Sequence, residues 1–215
     1  MQYLIKVGLI LSLFLGISSL EAHNLKQSVE SEERDSKNIK RDMFRHPYET
    51  LSFFGIKPEM TIVELSPGAG WYTEILAIFM YDQGKLITAH HDPTQGDYQK
   101  RSRERYESLI SENSLYEKVE VVNLGSKLSQ DKSVDAVLTF RNLHNWLEPS
   151  KPSIETIFSQ SHEVLKSGGI FGVVEHRAHP GTTIDEMKES GYVTEELAIR
   201  LAKNAGFIFI GSSEI

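Results

Sequence analysis

Residues Glu64 to Leu76 read ELSPGAGWYTEIL. The run TIVEL (Thr61 to Leu65) that leads into them is short, apolar and β-branched, which marks a strand. Gly68 and Gly70 follow it at once. Trp71 to Met80 then has helical periodicity, with Trp71, Ile75, Ile78 and Phe79 on one side. A strand, a two-glycine turn and a helix, in that order, are half of a parallel α/β unit. Lacking a Cβ, the two glycines accept positive φ and let backbone approach a ligand closely. The stretch S-P-G-A-G departs from G-x-G-x-x-G, because Thr73 stands where the third glycine would fall. It also lacks the Gly-Lys-Ser/Thr ending of a phosphate loop. A cofactor with no pyrophosphate at that spot suits it; a plain tight turn is the alternative.

Outward from this stretch, strand and helix patterns alternate. KLITAHH (Lys85 to His91), VEVVNL (Val119 to Leu124), VDAVLTF (Val134 to Phe140), IFGVVE (Ile170 to Glu175) and FIFIGSS (Phe207 to Ser213) bring the expected strands to six. Helices are predicted over Tyr98 to Asn113, over Ile154 to Leu165 with Gly168 and Gly169 beyond it, and over Thr194 to Asn204, with Thr194 as its cap. Upstream, the chain changes character over Arg41 to Gly55: Pro47 fits the first turn of a helix and Gly55 the position just past its end. This order predicts an α/β fold, a mostly parallel sheet of six strands. Fully apolar strands such as IFGVV suit a sheet covered on both faces.

The chain has 215 residues, 40% hydrophobic and 25% charged, which fits one domain with appendages. A net charge of −7 gives no basic surplus for nucleic acid, so no nucleic-acid partner is expected. The absence of cysteine excludes disulfides, thiolate zinc sites and a cysteine nucleophile. At the start, Lys6 precedes an apolar segment, Val7 to Leu20, shorter than the ~20 residues of a bilayer span. With Ala22 before the cut, residues 1–22 read as a signal peptide of an exported, periplasmic protein; a retained inner-membrane anchor is the alternative. Any membrane contact is then expected only through an uncleaved leader. Residues 23–40 are polar and charged and read as a linker, and 41–215 as the domain.

In a doubly wound sheet ligands sit at the carboxyl ends of the strands. Glu64 lies near the end of the first strand. Asp92 follows the second, where an acidic residue can accept from ribose hydroxyls; a turn former in HDPTQG is the alternative. FRNLHNW (Phe140 to Trp146) closes the fourth strand with Arg141, Asn142, His144, Asn145 and a Trp146 face. EHRAHPG adds Glu175, His176 and Arg177 on the same rim. His144 has a suitable pKa for a base, with Glu175 or His176 as a second, and Arg177 can hold a carboxylate or phosphate. The alternative is that these side chains pin loops. No metal is expected: adjacent His90 and His91 point to opposite faces of a strand, and no H-x₃-H or HExxH spacing occurs.

ELSPGAG followed by WYT resembles the first motif of the class I, Rossmann-like S-adenosylmethionine-dependent methyltransferases. VDAVLTFRNLHNWLEP resembles that family's fourth-strand motif, and LKSGGIFGVVEHR its helix–glycine–strand motif. The resemblance runs from about Met43 to Ile215. It is nearest to bacterial methyltransferases with leader peptides that share FRN-x-HNW and EHR. It implies a three-layer sandwich, S-adenosylmethionine as cofactor and methyl transfer to a small-molecule substrate. By that resemblance Glu64, Ser66, Gly68 and Gly70 would line the methionine side, Asp92 would bind ribose, and Asn123 would stand in for the acidic residue near adenine. Asn142 joins the cofactor-binding set; His144, Glu175 and His176 form the catalytic one. The family sheet finishes with a seventh, antiparallel strand, which is expected to be missing at the C-terminus here. A non-catalytic, exported ligand-binding protein on the same fold is the second reading.

Overall fold

The computed structural model describes residues 24–148 and 152–215; the leader at 1–22 lies outside them. Five strands form one parallel sheet: β1 (Thr61–Leu65), β2 (Lys85–His90), β3 (Glu120–Asn123), β4 (Val134–Phe140) and β5 (Leu165–Val174), in the order β3-β2-β1-β4-β5. The chain winds outward from β1 to β3, then returns to place β4 on the other side of β1. That reversal opens a crevice at the carboxyl ends of β1 and β4. Ten α-helices complete the described residues: α1 (Leu25–Val29), α2 (Ser36–Ile39), α3 (Asp42–Arg45), α4 (Pro47–Phe53), α5 (Trp71–Met80), α6 (Asp97–Ser111), α7 (Leu143–Trp146), α8 (Ile154–Val164), α9 (Ile184–Ser190) and α10 (Glu195–Asn204). None of them is long and apolar enough to cross a membrane.

Strand alternation splits the core in two. Ile62, Leu86, Ala136 and Leu138 face α4 and α5, where Leu51, Ile75, Leu76 and Phe79 meet them. Val63, Leu65, Ile87 and Val137 face the other way, toward Leu143, Ile157, Phe158 and Leu197 of α7, α8 and α10. Adjacent residues of one strand thus feed opposite layers, as the period of two demands.

All ten residues of α5 are buried, the polar Glu74 included. The cover is the segment read from composition as a linker. Within it Arg34, its side chain fully buried, donates from Nε to Glu74 Oε2 at 3.2 Å and forks onto both oxygens of Asp42 at 2.7 and 3.0 Å. Glu74 also accepts from the Asp35 amide at 2.7 Å and from Asn38 Nδ2 at 3.2 Å. The Trp71 indole donates to the Asn38 carbonyl at 3.0 Å. Residues 24–45 therefore strap the helix that opens at the glycine turn.

The sheet has five strands where the sequence pattern predicts six. Phe207 packs by stacking on Phe171, ring centroids 4.7 Å apart, but the residues after it join no strand among the described residues. Ile208 and Ile210 are 87% exposed. FIFIG has the composition of a strand, yet a strand exists only where a neighbour takes its backbone hydrogen bonds, and β5 is the last strand of the described sheet. β5 itself starts earlier than predicted. Its register jumps from Val134↔Leu165 to Ala136↔Ile170, so Lys166 to Gly169 form a bulge inside the strand instead of a linker before it. α9 was not legible from apolar periodicity; its signal is the capping box of Thr183 with Glu186.

Replacing Arg34 by Met leaves the buried Glu74 and the half-buried Asp42 without their cation, and should cost about 3–5 kcal/mol in urea unfolding. The double variant Arg34→Met, Glu74→Leu should recover part of the loss, because the uncompensated charge on α5 goes with it. Equal stability of Arg34→Met and wild type would mean that the strap carries no weight.

Candidate active site

The turn after β1 is left-handed at three of five residues: Ser66 at φ 50°, Gly68 at 62° and Gly70 at 79°. A Cβ on Gly70 would stand 2.9 Å from Leu109 Cδ2, so this glycine lets α6 close against the loop. A Cβ on Gly68 would meet nothing within 4 Å; it would point into open space. Ser66, which carries the turn without being glycine, has its hydroxyl oxygen buried and without a hydrogen-bond partner. A buried polar atom left unpaired is rare and calls for a partner.

The loop is held from beneath. His90 Nδ1 accepts from the His91 amide at 2.8 Å, so Nε2 carries the proton and donates to the Gly68 carbonyl at 3.3 Å. The ring stacks on Tyr106, with centroids 4.8 Å apart. Burial, helped by His91, lowers the His90 pKa to about 4, so the ring is neutral. Asn142 Nδ2 lies 3.4 Å from the Leu65 carbonyl and 3.2 Å from that of Ser66. It also reaches Thr139 Oγ1 at 3.1 Å and the Phe140 carbonyl at 3.2 Å, which ties the end of β4 to the loop. Glu64 is buried behind the turn and accepts the Thr73 hydroxyl at 2.6 Å, with the Tyr106 hydroxyl 3.3 Å further on. Burial raises its carboxyl to about 7. His90 and Tyr106 were not predicted as loop supports: their contacts join residues far apart in sequence.

Two other expected cofactor residues are engaged locally. Asp92 Oδ1 accepts the Thr94 amide at 2.9 Å and its hydroxyl at 2.7 Å, capping a short turn at Pro93–Gln95. Those bonds hold the Asp92 carboxyl below its usual range. Asn123 Oδ1 accepts from Arg103 Nη1 at 2.9 Å, and the same Arg103 group reaches the His91 carbonyl at 3.3 Å. Arg103, absent from the sequence reading, thus joins the ends of β2 and β3.

On the other side of the crevice, the Arg141 amide extends the ladder by donating to the Val174 carbonyl at 2.7 Å. His144 and Glu175 come together: Nδ1 is 3.1 Å from Oε2. A carboxylate accepts, so Nδ1 carries the proton and Nε2 keeps a free lone pair. The other Glu175 oxygen accepts the His176 amide at 3.0 Å. His176 Nε2 is 3.3 Å from Arg141 Nη1; arginine only donates, so that lone pair is occupied. The His176 ring stacks on Tyr192 at 5.0 Å. Arg177, expected to hold an anion, is already paired with Glu195 at 3.5 Å and with Glu214. No group of three or more metal-ligating side chains occurs among the described residues.

Glu64 and His90 give opposed pH dependences. A carboxyl raised from 4.5 to about 7 contributes stability that is lost as pH rises through that window, about 3 kcal/mol in all. A histidine lowered from 6.5 to about 4 contributes stability that is lost as pH falls through its window. The unfolding free energy of wild type minus that of Glu64→Gln should therefore fall by about 3 kcal/mol from pH 4.5 to 7. Urea titrations at a series of pH values measure it; a constant difference would mean that Glu64 is ionised throughout.

No protein-family model matches the sequence, and no curated protein matches it. Solved structures do. A SAM-dependent methyltransferase from Aquifex aeolicus superposes with a TM-score of 0.60 at 18% identity, over 86% of this chain and 88% of its own. The [4+2]-cyclase SpnF gives 0.59 at 19% identity, over 85% and 68%. Geranyl diphosphate C-methyltransferase from Streptomyces coelicolor, solved with S-adenosyl-L-homocysteine, gives 0.54 at 12% identity, over 84% and 68%. The chain therefore has the Rossmann-like fold of the class I methyltransferases, with its glycine turn at the sheet's switch point.

Proposed function

We propose that the chain is an S-adenosylmethionine-dependent methyltransferase with a small-molecule acceptor. The observation that carries this reading is the left-handed turn held from below, which has open space at Gly68 and a buried, unpartnered hydroxyl at Ser66. Such a turn fits the amino-acid end of the cofactor, which brings hydrogen-bonding groups and no pyrophosphate. When bound, S-adenosylmethionine supplies an electrophilic methyl group on a sulfonium. Everything else falls to the chain. Ser66 and the backbone of the turn bind and orient the cofactor; the strap over α5 keeps their support rigid. His144 Nε2 takes the proton that a hydroxyl or amine acceptor sheds. Glu175 fixes the His144 tautomer and stabilises the imidazolium, which makes it a positioning residue.

The SpnF structure is described as a cyclase, so this fold carries other chemistry as well. A silent ligand-binding protein would share the glycine turn but would have no use for the His144–Glu175 pair. The leader at 1–22 places the acceptor beyond the inner membrane in this reading, which requires the cofactor to reach that side. Recovery of the tagged protein from the periplasmic fraction of its host is the expected result.

Calorimetric titration of S-adenosylmethionine into the full chain should give 1:1 binding. Gly68→Val should abolish it while circular dichroism stays that of wild type: a β-branched residue at φ 62° is strained by about 1–3 kcal/mol and fills the open space. Unchanged affinity would overturn the role of the turn. With an acceptor in hand, His144→Ala should lower turnover about 10²–10⁴-fold at unchanged cofactor affinity. Unchanged turnover would remove His144 as the base.

A further inference from the structure

Arg45 and Arg141 lie at the two ends of one aromatic cluster at the edge of this site, near enough for each to feel the other's charge. Arg45, at the end of α3, lays its guanidinium over the Trp71 ring at 4.5 Å. Tyr72, the next residue, stacks face to face on Phe140 with centroids 3.5 Å apart, and Phe140 leads straight into Arg141. The Tyr72 hydroxyl reaches back to the Arg45 carbonyl at 3.5 Å. The two arginines thus flank one aromatic stack, and Arg141 leaves β4 beside Asn142, whose amide touches the glycine turn.

Neither arginine is neutralised. Among the described residues no carboxylate lies within 4.0 Å of Arg45 or Arg141, although the chain carries a net charge of −7. Arg45 Nε is also buried without a hydrogen-bond partner. Burial first, then Arg141 and Arg41, lower the Arg45 pKa to about 10. Like charges held together around an unused donor are costly unless an anion comes between them. Arg177 makes the contrast: on the same rim, its charge is already spent on Glu195 and Glu214.

We propose that Arg45 and Arg141 form an oxyanion site at the mouth of the glycine turn, which takes a carboxylate or phosphate group of the molecule that enters. A planar guanidinium suits either group. Two sources share that chemistry: the carboxylate of the cofactor's own amino-acid end, and an acidic acceptor. Only the choice between them rests on the methyltransferase reading.

Inorganic phosphate is the first probe. At ionic strength matched with chloride, phosphate should raise the thermal unfolding midpoint of the full chain. The effect should be lost in Arg45→Gln and in Arg141→Gln and largely kept in Arg45→Lys. An equal shift in wild type and both Gln variants, or no shift in wild type, would overturn the proposal. The second arm titrates S-adenosylmethionine and its decarboxylated analogue into the same proteins. If Arg45→Gln weakens only the carboxylated compound, about tenfold, the site holds the cofactor's carboxylate. If both titrations match wild type while the phosphate effect is lost, the site holds the acceptor's anion. If neither compound binds wild type but phosphate still does, the oxyanion site stands and the methyltransferase reading falls.

Discussion

Everything at this site depends on keeping a left-handed stretch of backbone in place. Ser66, Gly68 and Gly70 turn the chain so sharply that the carbonyls between them point back into the protein. Buried carbonyls require donors. Two side chains supply them from either side of β1: His90 from the end of β2 and Asn142 from the loop after β4. The strand order puts these ends next to each other, because β1 lies between β2 and β4. The parallel register finishes the task, pairing Leu65 with Ala89 on one side and with Thr139 on the other. The reversal of strand order thus does more than open a crevice; it brings the donors that make the crevice's floor stable.

This explains which parts of the fold were legible in the sequence. TIVEL, the helix over Trp71 to Met80 and the Thr194 cap are set by residues within one element, and they were read with their bounds. Composition alone makes residues 23–40 of the strap read as a polar linker, because they are charged. Arg34 is buried only because Glu74, forty positions away, waits for it on α5. Phe207 to Ser213 fails in the opposite way. Its apolar, β-branched residues favour a strand, but propensity supplies no neighbour. His90 was read beside His91 as a ligand question. What decides its role is the amide of His91 on one ring nitrogen and the carbonyl of Gly68 on the other.

The rim clusters show the same division. FRNLHNW and EHR stand out in the sequence as dense in polar groups, but the sequence ranks their members equally. Geometry does not. Glu175 uses one oxygen on His144 and the other on the His176 amide, so it is an orienting group on both counts. His176 has its Nε2 lone pair against Arg141. Of the two histidines, only His144 retains an acceptor nitrogen that faces no protein donor in the hydrogen bonds of the described residues. Arg177, expected to hold an anion, differs from Arg141 for a similar reason: the first has carboxylates on α10 and near the C-terminus, and the second has none among the described residues.

The placement of charge follows from these pairings. A proton acceptor works best where no cation depresses its affinity for the proton, and an anion holder works best where cations are unshared. Glu175 lies between the two regions. Its carboxylate faces His144, while its backbone continues into His176 and the Arg141 contact. The proposed base therefore sits beside Glu175, while Arg141 lies against His176 and Arg45 over Trp71. One acidic residue at the end of β5 keeps a proton-taking group and an anion-taking group apart on a single rim, and the order of β4 and β5 in the sheet determines which side each occupies.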